Sequence, residues 1–190
     1  MYYPINLRID DMKVVIIGGG KVAYRKCMNF LAFMKKVVII SDKFIKEFET
    51  IKEGVEIIES RYNEKYIEDA FIVIAATNNK FINNQIGTYC RKNGKLVNVV
   101  DDESLSNFTV SSFVKRGDLL LSISTGGKSP SLSMKIRKEL EQIYDEGYEE
   151  YVNLLGEARQ KIINNTDDIE ERRKKLKDIL SLSIDELKQM

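Results

Sequence analysis

The first hundred residues alternate between short, unbroken apolar runs and stretches with helical spacing. The clearest run is Val14-Val15-Ile16-Ile17, which breaks into Gly18-Gly19-Gly20 and passes at once into a helical pattern. Residues 13–17 read as a buried strand. Residues 21–34 read as a helix with Val22, Cys27, Phe30, Leu31 and Met34 on one face. Further strands are expected over residues 37–40, 55–58, 71–75 and 96–100. The stretch 71–75 is apolar throughout, as strands covered on both faces are. Residues 81–92 form a helical pattern stopped at Asn93-Gly94. A short edge strand is expected over residues 2–7, with Pro4 tolerated near its start.

Strands alternating with helices through short connections describe a parallel sheet built from βαβ units. After Asp102 the pattern changes. Short strands are expected over residues 107–110, 112–115 and 119–124, with Arg116-Gly117-Asp118 turning the last two into an antiparallel hairpin. Ser129-Pro130 opens a helix to about residue 145, Ser129 as N-cap and Pro130 at the first helical position. Residues 148–190 are helical and polar, broken at 164–167, and the charge run 170–177 reads as a solvated helix face. The fold class is therefore α/β: a parallel sheet domain over residues 1–106, a small α+β region over 107–146 and a helical part over 147–190.

Composition narrows the chemistry. The 190 residues contain no histidine, so neither imidazole bases nor imidazole metal ligands are open to this chain, and no metal-ligating set stands out. Cys27 and Cys90 are the only cysteines, and both fall within expected helices. They read as buried thiols of a reducing compartment, and the cytoplasm is the expected location. No apolar run approaches the ~20 residues of a membrane span, and no signal-peptide pattern opens the chain, so no membrane partner is expected. Residues 141–190 carry 13 Asp/Glu against 8 Lys/Arg, which leaves the rest of the chain mildly basic. That excess suits an anionic cofactor or substrate and is too small to imply nucleic acid.

Five constellations could carry chemistry. In the first loop Gly18 permits a tight turn, Gly20 lets a pyrophosphate approach the backbone, and small Ala23 lets helix and strand pack closely. The helix N-terminus at Lys21 and Val22 then offers unpaired N–H groups to phosphate. A glycine-rich turn in some other α/β protein remains the plain alternative. Ser41, Asp42 and Lys43 end the second strand, where an acidic residue receives ribose hydroxyls. Asp42 favours NAD over NADP, unless it merely caps the next turn. Ala76, Thr77 and Asn78 end the fourth strand, where small residues let the nicotinamide side lie close, unless they form an ordinary turn. Asp101 ends the fifth strand and is the best-placed carboxylate for a general acid or base, its alternative being a turn-forming aspartate. Beyond these, Ser124, Thr125, Gly126, Lys128 and Ser129 form a second glycine loop before a fresh helix. It is a natural anion site without the full Walker pattern, or else a strand–helix connector.

Taken together and in order, Ile16-Ile17-Gly18-Gly19-Gly20-Lys21-Val22-Ala23 with Arg25-Lys26, Ala75-Ala76-Thr77-Asn78, Val97-Asn98-Val99-Val100-Asp101 and Ser122-Ile123-Ser124-Thr125-Gly126-Gly127-Lys128-Ser129-Pro130 resemble the precorrin-2 dehydrogenase family, the dehydrogenase module of sirohaem synthase. The resemblance spans roughly residues 1–145. It implies a Rossmann-type NAD-binding domain, a dimerisation region over 107–146 and a helical C-terminal part. It also implies a homodimer that oxidises precorrin-2, an octacarboxylate tetrapyrrole, to sirohydrochlorin; some relatives also insert ferrous iron to give sirohaem. By position, Lys21, Val22, Asp42 and Lys43 would contact NAD, and Asp101 would be the essential aspartate. Thr125 stands where some relatives have a serine in the active-site cleft, and Ser124, Lys128 and Ser129 would help hold substrate carboxylates. No methyltransferase module is evident, so the chain is not expected to make precorrin-2 itself. A regulatory nucleotide-binding domain of the potassium-uptake type would share the first loop and the Ala-Ala-Thr turn. It would leave Asp101 and the 125–130 loop without a purpose.

Overall fold

The computed structural model describes residues 2–190, which divide into two compact units, Pro4–Thr109 and Val110–Met190, the latter joined by Tyr2 and Tyr3. In the first unit, β1 (Val14–Ile17), β2 (Val37–Ser41), β3 (Val55–Glu59), β4 (Ile72–Ala75) and β5 (Leu96–Val99) form one parallel sheet in the order β3-β2-β1-β4-β5. β1 lies at the centre and all four of its residues are buried. Alternate residues supply two cores. Val15, Ile17, Val73, Val97 and Val99 face α2 (Lys80–Lys92), while Val14, Ile16, Ile72 and Ile74 face α1 (Lys21–Leu31). This is why these strands read as continuous apolar runs rather than as alternating ones.

α1 buries Ala23 and Cys27, four residues apart, with Phe30 and Leu31 packed beside them. The expected face was wrong at both ends: Val22 is 38% and Met34 is 90% exposed. The helix also stops short of residue 34. Lys35 N–H donates to Phe30 O and Met34 N–H to Leu31 O, a Schellman ending with Met34 in the left-handed region at φ 53°.

Two expected strands are absent. Residues 2–7 take no place in the sheet, and Tyr3 and Ile5 are exposed. Pro4 has no N–H for a ladder, and the alternating Tyr3, Ile5 and Leu7 stay exposed rather than packing on the sheet. Residues 107–110 are likewise not a strand. The chain does run beside β5, but side chains make most of the bonds. Val97 N–H donates to Asn107 Oδ1 (2.7 Å), Val99 N–H to Ser106 Oγ (2.9 Å), and Asn107 Nδ2 to Lys95 O (2.8 Å). Asn107 N–H donates to Val97 O (3.0 Å). A backbone whose partners are mostly side-chain oxygens cannot continue a ladder.

The second unit pairs β6 (Ser112–Arg116) with β7 (Leu119–Ile123) in the expected antiparallel hairpin. α3 (Pro130–Ile143) opens on Ser129, whose hydroxyl accepts from Leu132 N–H. α4 (Gly147–Asn165), α5 (Ile169–Asp178) and α6 (Ile184–Lys188) enclose a small core of Ala158, Ile162, Ile179 and Leu187. The expected break after residue 164 is there, tied down by a fork from the Arg172 guanidinium to Thr166 O (3.0 and 2.7 Å). A second break follows α5, where a short 3-10 turn over Ile179–Ser181 precedes the capping box of Ser183 and Glu186. Most of α5 is exposed, as its charges imply. No helix among the described residues is long and apolar enough to cross a membrane.

Cys27 and Cys90 are both fully buried. Burial disfavours the thiolate, pushing Cys27 up to about 11 and Cys90 to about 12. The native state therefore favours the neutral thiols, and their contribution to stability is intact below the ordinary thiol value of 9.0 and drains away as pH rises through about 11 and about 12. Chemical denaturation across this range is expected to show a falling midpoint that flattens in a Cys27→Ala, Cys90→Ala double variant. A midpoint equally steep in the double variant would remove the thiols as the cause.

Candidate active site

The carboxyl ends of the parallel strands gather the first three constellations and Asp101 on one edge of the sheet. Gly18–Gly20 follow β1, Asp42 and Lys43 follow β2, Ala76–Asn78 follow β4, and Asp101 lies two residues beyond β5. β1 is flanked by β2 and β4, so the chain order reverses there, which is where α/β sheets leave a ligand crevice.

Two glycines of the first loop do different work. Gly18 has φ +131°, and its N–H donates to Ile40 O (2.8 Å). A Cβ on it would stand 2.3 Å from Ala76 O, so the loop and the end of β4 are in backbone contact. Gly20 is different: a Cβ there would meet nothing within 4 Å. It opens α1, whose N-terminus has no side-chain cap and no acidic residue in its first turn. Unpaired N–H groups, the positive end of the helix dipole and an open approach at Gly20 fit a pyrophosphate. Lys21 and Val22 are exposed at that end, and Ala23 is buried against the sheet.

After β2, the Ser41 hydroxyl donates to Lys43 O (2.8 Å) and shapes the loop. Asp42 does not cap the next turn: the 3-10 turn Lys46–Thr50 has Ile45 at its N-cap and no side-chain cap. Asp42 is exposed, as is Lys43.

Past β5, the two adjacent aspartates separate cleanly. Asp102 makes the turn: it accepts from Ser104 Oγ (2.6 Å) and Ser104 N–H (2.9 Å), which hold its carboxyl below the usual range. Asp101 takes no part in that turn. Its Oδ1 accepts from Asn83 Nδ2 (2.9 Å), and its side chain is exposed. Asn83 was not singled out in the sequence. It lies on the buried face of α2 with Ile86, Gly87 and Cys90, an apolar spacing at which a lone amide is the signal.

The second glycine loop lies in the other unit. Thr125 Oγ1 accepts from Ser129 N–H (3.1 Å) and from Ser133 Oγ (3.3 Å). Ser124 Oγ accepts from Gly126 N–H (3.1 Å), and the Ser129 hydroxyl caps α3. These hydroxyls first of all build the loop. Lys128 is exposed at its tip.

A five-stranded parallel sheet with a glycine turn at its switch point defines a Rossmann-type, dinucleotide-binding protein. A family described as NAD(P)-binding matches residues 5–112, and one described as sirohaem biosynthesis protein central matches residues 116–143. The chain belongs to the precorrin-2 dehydrogenase family, which includes the dehydrogenase module of sirohaem synthase. Siroheme synthase of Tolumonas auensis is 31% identical over 173 residues, covering 91% of this chain and 37% of the relative. Siroheme synthase of Pseudoalteromonas translucida is 31% identical over 163 residues, covering 85% of this chain and 34% of the relative. The chain thus spans about a third of the length of these curated relatives. A solved structure titled SirC, precorrin-2 dehydrogenase, matches with a TM-score of 0.76 and 26% identity over 99% of this chain and 96% of that one.

Proposed function

We propose that this protein is an NAD-dependent precorrin-2 dehydrogenase of sirohaem biosynthesis. The observation that carries the reading is Asp101, an exposed carboxylate held by Asn83 on the same sheet edge as the open approach at Gly20. Oxidation removes two hydrogens from the tetrapyrrole, one as hydride and one as a proton. NAD supplies the hydride acceptor when bound. The α1 N-terminus and Gly20 seat its pyrophosphate, and Ala76–Asn78 border its nicotinamide end. Asp101 stabilises the positive charge that develops on the macrocycle and takes the proton at its free oxygen. Lys128, with Ser124, Thr125, Gly126 and Ser129, would meet the substrate carboxylates.

In the same reading, residues 1–106 hold the cofactor and 107–146 form a homodimer interface, for which the exposed Leu120, Leu132 and Met134 speak. Residues 147–190 complete the helical part. Two buried free thiols suit the cytoplasm. Ferrous iron enters as a substrate of a second step, in which Asp101 would take the pyrrole protons that the metal displaces. Anaerobic incubation with precorrin-2 and NAD tests the first step by the absorbance of sirohydrochlorin. Formation at the non-enzymatic rate would sink it, and adding ferrous iron to sirohydrochlorin tests the second on its own.

The cofactor choice rests on Asp42, which is exposed, caps nothing and so is left to accept from a ribose hydroxyl. Losing one hydrogen bond to a charged group costs about 1.5 kcal/mol or more. Asp42→Ala is therefore expected to lower the preference for NAD over NADP by about tenfold. An unchanged ratio of kcat/KM for the two cofactors would count against Asp42.

A further inference from the structure

We infer that Asn83 is a positioning residue for the proton-transfer step, fixing which oxygen of Asp101 faces the substrate; this rests on the dehydrogenase reading. Asn83 is 1% exposed and lies one turn into α2. Its amide is saturated. Oδ1 accepts from Thr77 N–H (3.2 Å) and from the Thr77 hydroxyl (2.7 Å). Nδ2 donates to Thr77 O (3.1 Å) and to Asp101 Oδ1 (2.9 Å).

The backbone of Thr77 leaves the amide only one orientation. An N–H must face the oxygen and a carbonyl must face the nitrogen, so a flip would break both bonds. The group presented to Asp101 is therefore a donor. It occupies Oδ1 and leaves Oδ2 without a partner among the described residues, as a proton acceptor requires. A single buried amide thus ties the turn after β4, at the nicotinamide end of the crevice, to the carboxylate after β5. Both ends of a hydride-and-proton transfer are set by one side chain.

The two arms can be separated. Asn83→Asp keeps an oxygen toward Thr77 N–H and replaces the donor toward Asp101 with a second carboxylate. NADH affinity, read by fluorescence titration, is expected to stay within about threefold, while kcat falls by about a hundredfold, the low end for acid–base catalysis. Two carboxylates at this distance share a proton as pH drops. The Ser104 hydroxyl and N–H that bond Asp102 hold its carboxyl below the usual range, which makes it the harder neighbour to protonate. The shared proton restores a donor toward Asp101, so part of the kcat loss should return on acidification in this variant and not in wild type. Asn83→Ser, too short to reach Asp101, should lose kcat without any recovery. It serves as the second variant should the first not fold, as judged by thermal melting.

Wild type and Asp101→Ala run beside them. Should wild type itself not turn over, the dehydrogenase reading fails. With wild type active and Asp101→Ala inactive, unchanged kcat in the Asn83 variants would overturn the positioning role. So would a loss in Asn83→Asp that is the same at every pH.

Discussion

Replacing Asp101 with alanine is expected to lower kcat for precorrin-2 oxidation by about a thousandfold, mid-range for a general acid–base group. NAD affinity and folding should be preserved. The structure gives a reason for each part. Asp101 is exposed and lies beyond the last ladder bond of β5, so its removal opens no cavity. The following turn is capped by Asp102, not by Asp101. Asn83 keeps its three bonds to Thr77. Asp101→Asn sharpens the test, since an amide oxygen can still accept from Asn83 but cannot take up a proton. It should fold, bind cofactor and remain inactive. Anaerobic turnover with cofactor titration measures both variants, and appreciable turnover in either would remove Asp101 from the proton transfer.

The second large effect comes from a pair of glycines two residues apart. Gly18→Ala should unfold the first unit or depress its thermal midpoint severely. The added Cβ meets Ala76 O at 2.3 Å in a backbone with φ +131°, and neither party is a flexible side chain that can yield. Gly20→Val should lower the midpoint far less than Gly18→Ala, because its Cβ meets nothing within 4 Å and the remaining cost is that of a poorer N-cap for α1. It should nevertheless weaken NADH binding by about a hundredfold, since the branched side chain fills the space a pyrophosphate needs and displaces it from the helix N-terminus. The two variants thus exchange phenotypes: one loses the fold, the other the ligand. Equal melting losses, or full affinity in Gly20→Val, would contradict this division.

Much of the first unit was legible because fully covered parallel strands are unbroken apolar runs, as β1, β2 and β4 are nearly throughout, while β5 differs only by Asn98. Glycine order located the switch point for the same reason: backbone-to-backbone contact and ligand approach both exclude side chains. What was misread has a common cause. Residues 107–110 have strand-like composition, but Ser106 and Asn107 answer β5 largely with side-chain oxygens, which no periodicity records. Val22 and Met34 were placed on the buried face of α1 by hydrophobicity. The first belongs to the helix end that faces the crevice, and the second to a left-handed C-terminal turn. Asp101 had a turn-forming role as its alternative until the structure gave that role to Asp102. Asn83 was missed because an amide on an apolar face resembles a flaw in the pattern until its four bonds are seen.

The side-chain bonds along β5 also bear on how the protein behaves when crowded. A sheet edge with free donors and acceptors is a template on which another chain can crystallise as a strand. Here Val97 and Val99 have spent their outward N–H groups on Asn107 and Ser106, so that template is blank. At β3, on the far side, no further strand among the described residues covers the outer edge, and the exposed Glu56 and Glu59 stand guard beside the exposed Ile57. Charge is a weaker deterrent than saturation, because salt screens it. Misassembly at high concentration and high ionic strength should therefore begin at β3, and its onset should be set by those two glutamates.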